Sequence, residues 1–137
     1  MPALLTIALQ TPRRVAFVDI TTEVERARRE LPLAEGALLV YVPHTTAGVT
    51  INENADPSVR ADIEMTLDRM VPGDLPYTHR EGNADAHVKA SLMGASVTVP
   101  VAGGRLLLGT WQGVYFAEFD GPRRRQVVVV ALPARTD

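Results

Sequence analysis

The chain has 137 residues and no cysteine. It can therefore form no disulfide, no Cys-ligated zinc site and no catalytic thiolate. Long apolar runs are also missing, since none reaches the ~18 residues that a membrane-spanning helix needs. The first ten residues lack the basic start and apolar core of a signal peptide. We therefore expect a cytoplasmic protein that does not enter a membrane.

A basic excess is absent as well. Lys and Arg number 14 against 16 Asp and Glu, which gives a formal net charge of −2. Proteins that bind nucleic acid usually carry a positive surplus, so we expect no nucleic-acid partner. The one basic run, Arg123-Arg124-Arg125, follows Asp120-Gly121-Pro122. It is interpreted as a solvated turn entering a strand, with a phosphate-facing arginine cluster as the alternative.

Three common nucleotide and hydrolase motifs are not found. The sequence has no GxGxxG, no GxxxxGK[ST] and no GxSxG segment. Dinucleotide-dependent dehydrogenases, P-loop NTPases and ordinary α/β-hydrolases use these motifs, so those classes lose support.

The patterning of the remaining residues predicts a single compact α+β domain over residues 1–137. Leu4–Leu9 and Arg13–Ile20 have the β-prone composition of strands, and Gly36–Pro43 is typical of a central strand. Gly103-Gly104 between two apolar runs predicts a hairpin. Strands and about three helices do not alternate strictly, so we expect a mixed-sheet or sandwich core rather than a doubly wound fold.

The helices carry start signals and apolar stripes. Thr22 and Glu25 fit a capping box, Asp56-Pro57 is a good N-cap and first position, and Asn83 is placed to cap a third helix. The spacing of apolar residues predicts that the second and third helices bury Val59, Ile63, Leu67 and Met70, and Ala84, Val88 and Leu92, respectively.

The chemically distinctive residues are concentrated between positions 44 and 89. This window holds every histidine, every asparagine and the single lysine of the chain: His44, His79, His87, Asn52, Asn54, Asn83 and Lys89. An ammonium on a flexible stem differs chemically from a guanidinium, and this chain otherwise uses arginine. The lone lysine is therefore predicted to have a specific role, although a plain surface lysine is the simpler alternative.

Three histidines are enough to hold a divalent metal with one position open, as in catalytic zinc sites. Their irregular spacing matches no short zinc signature, and each one alone is as readily a hydrogen-bonded polar residue. Among the carboxylates, Glu53 and Glu118 are candidates for magnesium binding or proton transfer. Glu53 has no evident structural duty, whereas Asp56 is explained as an N-cap and Asp85 as a complement to a helix dipole. Trp111 has two equally good interpretations, as a core residue or as part of a pocket wall.

Four ordered segments resemble the signatures of the YjbQ-like family. They are His44–Pro57, Gly82–Gly94, Gly109–Gly113 and Glu118–Arg123, and the resemblance covers nearly the whole chain. It implies a compact α+β homotrimer with polar sites near subunit interfaces. It also implies that His44, His79 and His87 form a cluster that suits a metal.

Members of that family are often described as secondary thiamine-phosphate synthases, so the resemblance implies a transferase acting on small phosphorylated metabolites. Such an enzyme joins a pyrimidine diphosphate to a thiazole phosphate and releases diphosphate. Lys89 is the expected diphosphate contact and Glu53 the expected magnesium ligand, and Asn52, Asn83 and Glu118 complete the candidate set. The alternatives are a three-histidine, zinc-dependent hydrolase with Glu53 or Glu118 as proton shuttle, and a trimer that binds a metabolite or metal without catalysis.

Overall fold

The computed structural model describes residues 3–135. In chain order its elements are β1 (Leu4–Gln10), β2 (Ala16–Asp19), α1 (Thr21–Glu30), β3 (Gly36–Tyr41), β4 (Ala47–Glu53), α2 (Pro57–Met70), α3 (Ala84–Met93), β5 (Ser96–Ala102), β6 (Arg105–Leu106), β7 (Gln112–Glu118) and β8 (Arg124–Pro133). No helix in this part of the chain is both long and apolar enough to cross a membrane.

The strands form two sheets that pack face to face. One has five strands in the order β1-β8-β3-β5-β6, and the other has three in the order β2-β7-β4. This confirms the predicted α+β class and its sandwich core. Within residues 3–135 the pairings are all antiparallel, so the sheets are not mixed.

Strand β7 shows how the layers are built. Its side chains alternate between two cores: Val114 and Phe116 join the cluster between the sheets, and Tyr115 and Ala117 join a second cluster beneath α2 and α3. Successive side chains of a strand point to opposite faces, so a strand covered on both faces is apolar throughout. The small sheet is therefore the middle layer, with the large sheet on one side and two helices on the other.

The predicted capping box of α1 is wrong. The side chain that accepts the hydrogen bond from the Thr21 amide is Asp19, through Oδ1 at 2.9 Å. Glu25 instead accepts from Arg28 at 2.9 Å, one turn along the helix surface. The preceding strand ends in a carboxylate that already serves the helix start, which frees Glu25 for an ion pair within the helix.

Helix α2 begins as predicted but buries less than predicted. Asp56 accepts from the Ser58 amide at 2.9 Å and so caps the helix. Ile63 and Leu67 pack only partly against the second core, and Met70 is 63% exposed. None of the four predicted residues is fully buried, because α2 packs mainly against β2, the edge strand of the small sheet.

The buried face of α3 also differs from the prediction. The helix buries Asp85, Ala86, Lys89 and Ala90, whereas Val88 and Leu92 are 40% and 57% exposed. Small alanines let the helix axis come close to β4, and a charged pair fills the remaining space. The larger apolar side chains therefore lie on the outer face.

The Gly103-Gly104 hairpin is confirmed. The two glycines join β5 to β6 with φ values of 58° and 69°. Two positive φ angles at the centre of a two-residue turn match the right-handed twist of the flanking strands, and only glycine adopts them without strain.

A histidine-lined cavity as the candidate functional site

A polar cavity of about 460 Å³ lies between the start of β4, the loop before α3 and the turn before β8. We call it the histidine cavity. All three histidines of the chain line it, and so do Thr45, Asn83 and Arg123. The structure thus brings together residues that are far apart in the sequence, the widest separation being that of Pro43 from Arg125, 82 positions.

Gly48 lets α3 approach β4, which brings His87 next to His44. A Cβ at position 48 would lie 2.6 Å from the Gly94 carbonyl oxygen at the end of α3. The neighbouring Val49 amide donates to the same oxygen at 3.1 Å. The side of α3 that carries His87 is therefore held against the loop that carries His44.

His79 and His87 are in direct ring contact. Their ring centroids are 5.2 Å apart with an interplanar angle of 76°. His79 Nε2 also lies 3.7 Å from Glu81 Oε2. The loop before α3 therefore folds one imidazole onto another at the rim of the histidine cavity.

His44 is fixed from two sides. Its Nε2 accepts a hydrogen bond from the Gln126 amide of β8 at 2.9 Å, and its ring meets Phe116 edge to face at a centroid distance of 6.5 Å. Burial lowers the pKa of His44, and the nearby Arg125 guanidinium lowers this pKa further. His44 therefore gains a proton at a lower pH than an ordinary histidine does.

These contacts bear on the predicted zinc site. A metal ligand needs a free nitrogen lone pair, and His44 Nε2 already uses its lone pair to accept from Gln126. Within residues 3–135, no three His, Asp or Glu side chains are grouped so that they could hold a metal ion. The residues as arranged do not fit a three-histidine zinc site, because His44 would first have to release the Gln126 amide. The metal stays a prediction.

Glu118 lies behind the cavity in a hydrogen-bonded ion pair. It is 0% exposed, and its Oε1 accepts from Arg125 Nε at 2.8 Å and from Thr11 Oγ1 at 2.7 Å. Burial alone would raise the pKa of Glu118, but the hydrogen bonds from Arg125 and Thr11 outweigh it and lower the pKa. A carboxylate held ionised in this way is poorly placed to shuttle protons.

Arg125 corrects the interpretation of the basic run as a solvated turn. Arg123 and Arg124 are exposed, but Arg125 is only 5% exposed. It belongs to β8, where side chains alternate between faces, so its guanidinium reaches inward to Glu118 and to Thr46 Oγ1 at 2.9 Å. Arg125 forms part of the cavity wall.

Asn83 is held by a second set of hydrogen bonds. Its Nδ2 donates to Asp120 Oδ2 at 2.8 Å, and Arg123 Nη2 donates to the same oxygen at 2.9 Å. Asn83 occupies the N-cap position of α3, yet in the described part of the chain its side chain makes no capping bond. Its Oδ1 is buried without a hydrogen-bond partner within residues 3–135. The expected capping role is thus replaced by an anchor to Asp120.

Lys89 is not in the cavity. Its side chain is buried beneath α3, where Nζ lies 3.4 Å from Asp68 Oδ1 and 4.0 Å from Asp85 Oδ2. Asp85 in turn accepts from Arg14 Nη2 at 3.2 Å. Asp85 therefore does more than complement the helix dipole, and Lys89 ties α3 to α2 instead of facing a ligand.

Asn52 and Glu53 lie at the opposite end of β4 from His44. Asn52 Oδ1 accepts from the Glu53 amide at 2.7 Å, and Glu53 Oε2 accepts from the Asp56 amide at 3.1 Å. The structural duty that the sequence did not reveal for Glu53 is thus to close the turn into α2. Trp111, which is 62% exposed, belongs to neither core.

A second cavity of about 530 Å³ adjoins the first. It shares His44, Thr45 and His87 with the histidine cavity, and small residues such as Ala47 and Ala90 form its other walls. We call it the alanine cavity. A polar space and a less polar space therefore meet along one line of three side chains.

Sequence reasoning missed the supporting side chains of the site. Asp120 was noted only as part of the turn before β8, and the pairing of Arg125 with Glu118 was not anticipated. The available signal was the position of the arginine run at the start of a strand, where alternation directs one arginine inward. Nothing local indicates which carboxylate that arginine meets.

Known proteins share sequence similarity with nearly the whole chain. Residues 5–134 match the family described as UPF0047 protein YjbQ-like. A UPF0047 protein of Methanocaldococcus jannaschii is 53% identical over 121 residues, which are 88% of each chain. The UPF0047 protein YugU of Bacillus subtilis is 52% identical over 123 residues, covering 89% of this chain and 93% of YugU.

Solved structures show the same architecture. A YjbQ/UPF0047 family protein from Clostridium acetobutylicum, described as uncharacterized, superposes with a TM-score of 0.92 at 50% identity, covering 93% of this chain and 99% of that one. A protein of unknown function from Sulfolobus solfataricus superposes with a TM-score of 0.91 at 32% identity, covering 96% of each chain.

Proposed function

Since the chain belongs to the YjbQ-like (UPF0047) family, we propose that it is a transferase that joins two small phosphorylated metabolites in the histidine cavity and the adjoining alanine cavity. The specific reaction that we propose is of the thiamine-phosphate synthase kind. A thiazole nitrogen attacks the methylene carbon of a pyrimidine diphosphate. The carbon–oxygen bond breaks, and diphosphate leaves with the electron pair.

The observation that carries this proposal is the shared wall of the two cavities. His44, Thr45 and His87 line both spaces, so two ligands bound side by side would meet at these three residues. A transferase has to hold two substrates in contact, and this positioning supplies much of its rate advantage. A hydrolase needs room for only one organic substrate and water.

The hydrogen-bond donors of the histidine cavity suit an anionic leaving group. Arg123 is half exposed at its rim, where it is paired with Asp120, and His79 and His87 supply further nitrogen donors. Arg125 adds a guanidinium whose charge is largely balanced by Glu118. Hydrogen-bond donors aimed at a departing diphosphate stabilise the charge that develops on it. These residues replace Lys89 as the proposed diphosphate contacts.

Magnesium commonly accompanies diphosphate substrates and is held by carboxylates. Glu53, the predicted ligand, is at the far end of β4 and its Oε2 accepts from the Asp56 amide. The carboxylates that line the cavity are Glu81 and Asp120. We therefore propose these two as the chain's oxygen donors toward a magnesium ion that arrives with the diphosphate.

The proposal is tested by incubating the purified protein with the pyrimidine diphosphate, the thiazole phosphate and magnesium, and by following thiamine phosphate chromatographically. We expect product only when both substrates are present, and a loss of at least about tenfold in kcat/KM for His87→Ala. Glu53→Gln is the matched control and should retain activity. Product release from either substrate alone would contradict a two-substrate reaction.

A zinc-dependent hydrolase is the second candidate: His79 and His87 are in contact beside His44, but His44 has to release the Gln126 amide before it can be the third ligand. It predicts about one zinc per chain in tag-free protein, lost in both His44→Ala and His87→Ala, and hydrolysis that chelators abolish. Zinc content that is negligible even after incubation with the metal would remove this candidate. Tight metabolite binding without turnover would support a non-catalytic binder.

The homotrimer implied by the family resemblance remains part of the proposal. Four large apolar side chains of α2 and α3 are exposed and offer a surface for it: Met65, Met70, Val88 and Leu92. Light scattering combined with size-exclusion chromatography should give three times the chain mass of 14.9 kDa. A mass equal to one chain would contradict the trimer.

A further inference from the structure

The Gln126 amide decides which nitrogen of His44 carries the proton. Pairing between β3 and β8 ends at Tyr41 and Val128. Just beyond that point the Gln126 amide donates to His44 Nε2 at 2.9 Å instead of to a β3 carbonyl. A main-chain amide can only donate, so Nε2 must accept and holds no proton in the neutral ring.

The surroundings of the ring support the neutral form. Phe116 packs against one edge of the ring, and burial, followed by Arg125, lowers the pKa of His44 and outweighs the opposite effects of the Gln126 contact and of Glu118. Glu118 favours a positive charge on the ring, but its carboxylate is bonded to Arg125 and Thr11. The neutral ring therefore has its single proton on Nδ1.

That proton is available to a ligand. Within residues 3–135 the buried side-chain atoms without a hydrogen-bond partner are Glu64 Oε1 and Asn83 Oδ1. Within the same residues, His44 Nδ1 makes no hydrogen bond and is not one of these buried atoms. The ring lies on the wall that the histidine and alanine cavities share.

We propose that His44 is held by the Gln126 amide as a neutral Nδ1–H donor, which gives a hydrogen bond to an oxygen of the bound ligand where the two cavities meet. This assigns His44 a role different from metal ligation through Nε2. The inference rests on the proposed function only for the identity of that oxygen, which is an oxygen of the diphosphate. The tautomer itself follows from the fold.

The tautomer is read directly from the ring-nitrogen NMR spectrum of the protein labelled with nitrogen-15 in histidine. We expect Nε2 of His44 at the chemical shift of an unprotonated nitrogen and Nδ1 at that of a protonated one. Adding zinc in an amount equal to the protein should leave both signals in place. A proton on Nε2, or a zinc-induced shift of His44 Nε2 and of the Gln126 amide, would overturn the inference whatever the ligand is.

Two variants separate the donor role from a structural role. Asparagine places an amide nitrogen near the position of Nδ1, and glutamine reaches the position of Nε2, where its oxygen can accept from Gln126. With inorganic diphosphate as the probe in calorimetry, His44→Asn should bind within about fivefold of the unmodified protein. His44→Gln should bind about 10- to 100-fold more weakly.

The order of the two variants in free energy of unfolding should be the reverse of their order in diphosphate affinity. His44→Asn leaves the Gln126 amide without its acceptor and should be the less stable variant, although it binds diphosphate better. If His44→Gln binds as tightly as the unmodified protein, the donor role is overturned. If the unmodified protein binds no diphosphate but shows the Nδ1–H spectrum, the proposed function fails while the assignment of His44 stands.

Discussion

Two buried ion pairs in this molecule differ in how completely they are hydrogen-bonded. Glu118 and Arg125 lie under the histidine cavity, and each makes hydrogen bonds in addition to those between the two. Lys89 lies under α3 at 3.4 Å from Asp68, whose side chain is 76% exposed, and at 4.0 Å from Asp85. The first pair is enclosed and fully partnered, and the second is loose and opens to water on one side.

The difference between the two pairs shows which charged residues are able to bind a ligand. Arg125 lines the cavity, but its guanidinium is held in place by Glu118. Because the Glu118 carboxylate largely neutralises its charge, Arg125 contributes little to the binding of an anion. Lys89 holds two helices together and does not line the cavity. Rarity of a residue type in the sequence therefore indicates a constrained position, and only the hydrogen-bond partners tell whether the constraint is a ligand or the fold.

The largest effect is expected from breaking the enclosed pair. Glu118→Gln leaves the Arg125 guanidinium buried without a compensating charge, which should lower the free energy of unfolding by about 3–5 kcal/mol. Urea denaturation measures this loss. The double variant Glu118→Gln with Arg125→Met should lose less than the sum of the two single changes, since no uncompensated charge remains.

The control for that experiment is Asp68→Asn, which alters the exposed partner of the loose pair. It should change the free energy of unfolding by less than about 1 kcal/mol, because the Asp68 carboxylate is largely solvated and Asp85 remains beside Lys89. Equal destabilisation by Glu118→Gln and Asp68→Asn would remove the distinction between the two pairs.

A change at Gly48 should affect both regions, because this residue sets the distance between β4 and α3. Gly48→Ala would place a Cβ 2.6 Å from the Gly94 oxygen, which should cost about 1–3 kcal/mol of stability and push His87 away from His44. Thermal unfolding and diphosphate calorimetry measure the two consequences. Gly82→Ala is a useful comparison, because nothing lies within 4 Å of its Cβ position and only the positive φ of 78° opposes the substitution.

A smaller effect is expected from Lys89→Met. The methionine retains the packing of the stem, and Asp85 keeps its hydrogen bonds to Arg14. We expect a loss of about 1–2 kcal/mol in urea denaturation. A loss as large as that of Glu118→Gln would show that the two pairs are equally important to the fold.

The smallest effect concerns pH. The pKa of His44 is lowered from 6.5 by burial and by Arg125, so between the lowered value and 6.5 the unfolded chain binds more protons than the folded one. The free energy of unfolding should therefore fall as the pH drops below 6.5 and be flat above it. His44→Gln should make this slope shallower. An unchanged slope would contradict the assignment of a lowered pKa.

Much of the architecture could be predicted because local patterns determine it. The β-prone segment Leu4–Leu9 becomes β1, the Gly103-Gly104 turn becomes a hairpin, and Asp56 caps α2. The family resemblance implied a cluster of the three histidines, and all three line the histidine cavity, whereas their role stays a prediction. These features depend on neighbouring residues or on a residue type that is rare in the chain.

Most of the errors arose where long-range contacts decide the outcome. The buried face of α3 was misassigned because an amphipathic pattern takes the large apolar residues as the inner face, whereas Gly48 and the alanines make close approach more favourable. Lys89 was assigned to the site because it is the only lysine, and its partner Asp68 becomes evident only when the helices are assembled. Glu53 is a local error, because its carboxylate accepts from the Asp56 amide three residues later in a turn that was not recognised.

The central claim is that the ligand binds in the histidine cavity and not at Lys89. Calorimetric titration of inorganic diphosphate into the unmodified protein, His87→Ala and Lys89→Met tests it most directly. The account predicts at least about tenfold weaker binding for His87→Ala and an affinity within about twofold for folded Lys89→Met. Loss of binding in Lys89→Met with retention in His87→Ala would contradict it.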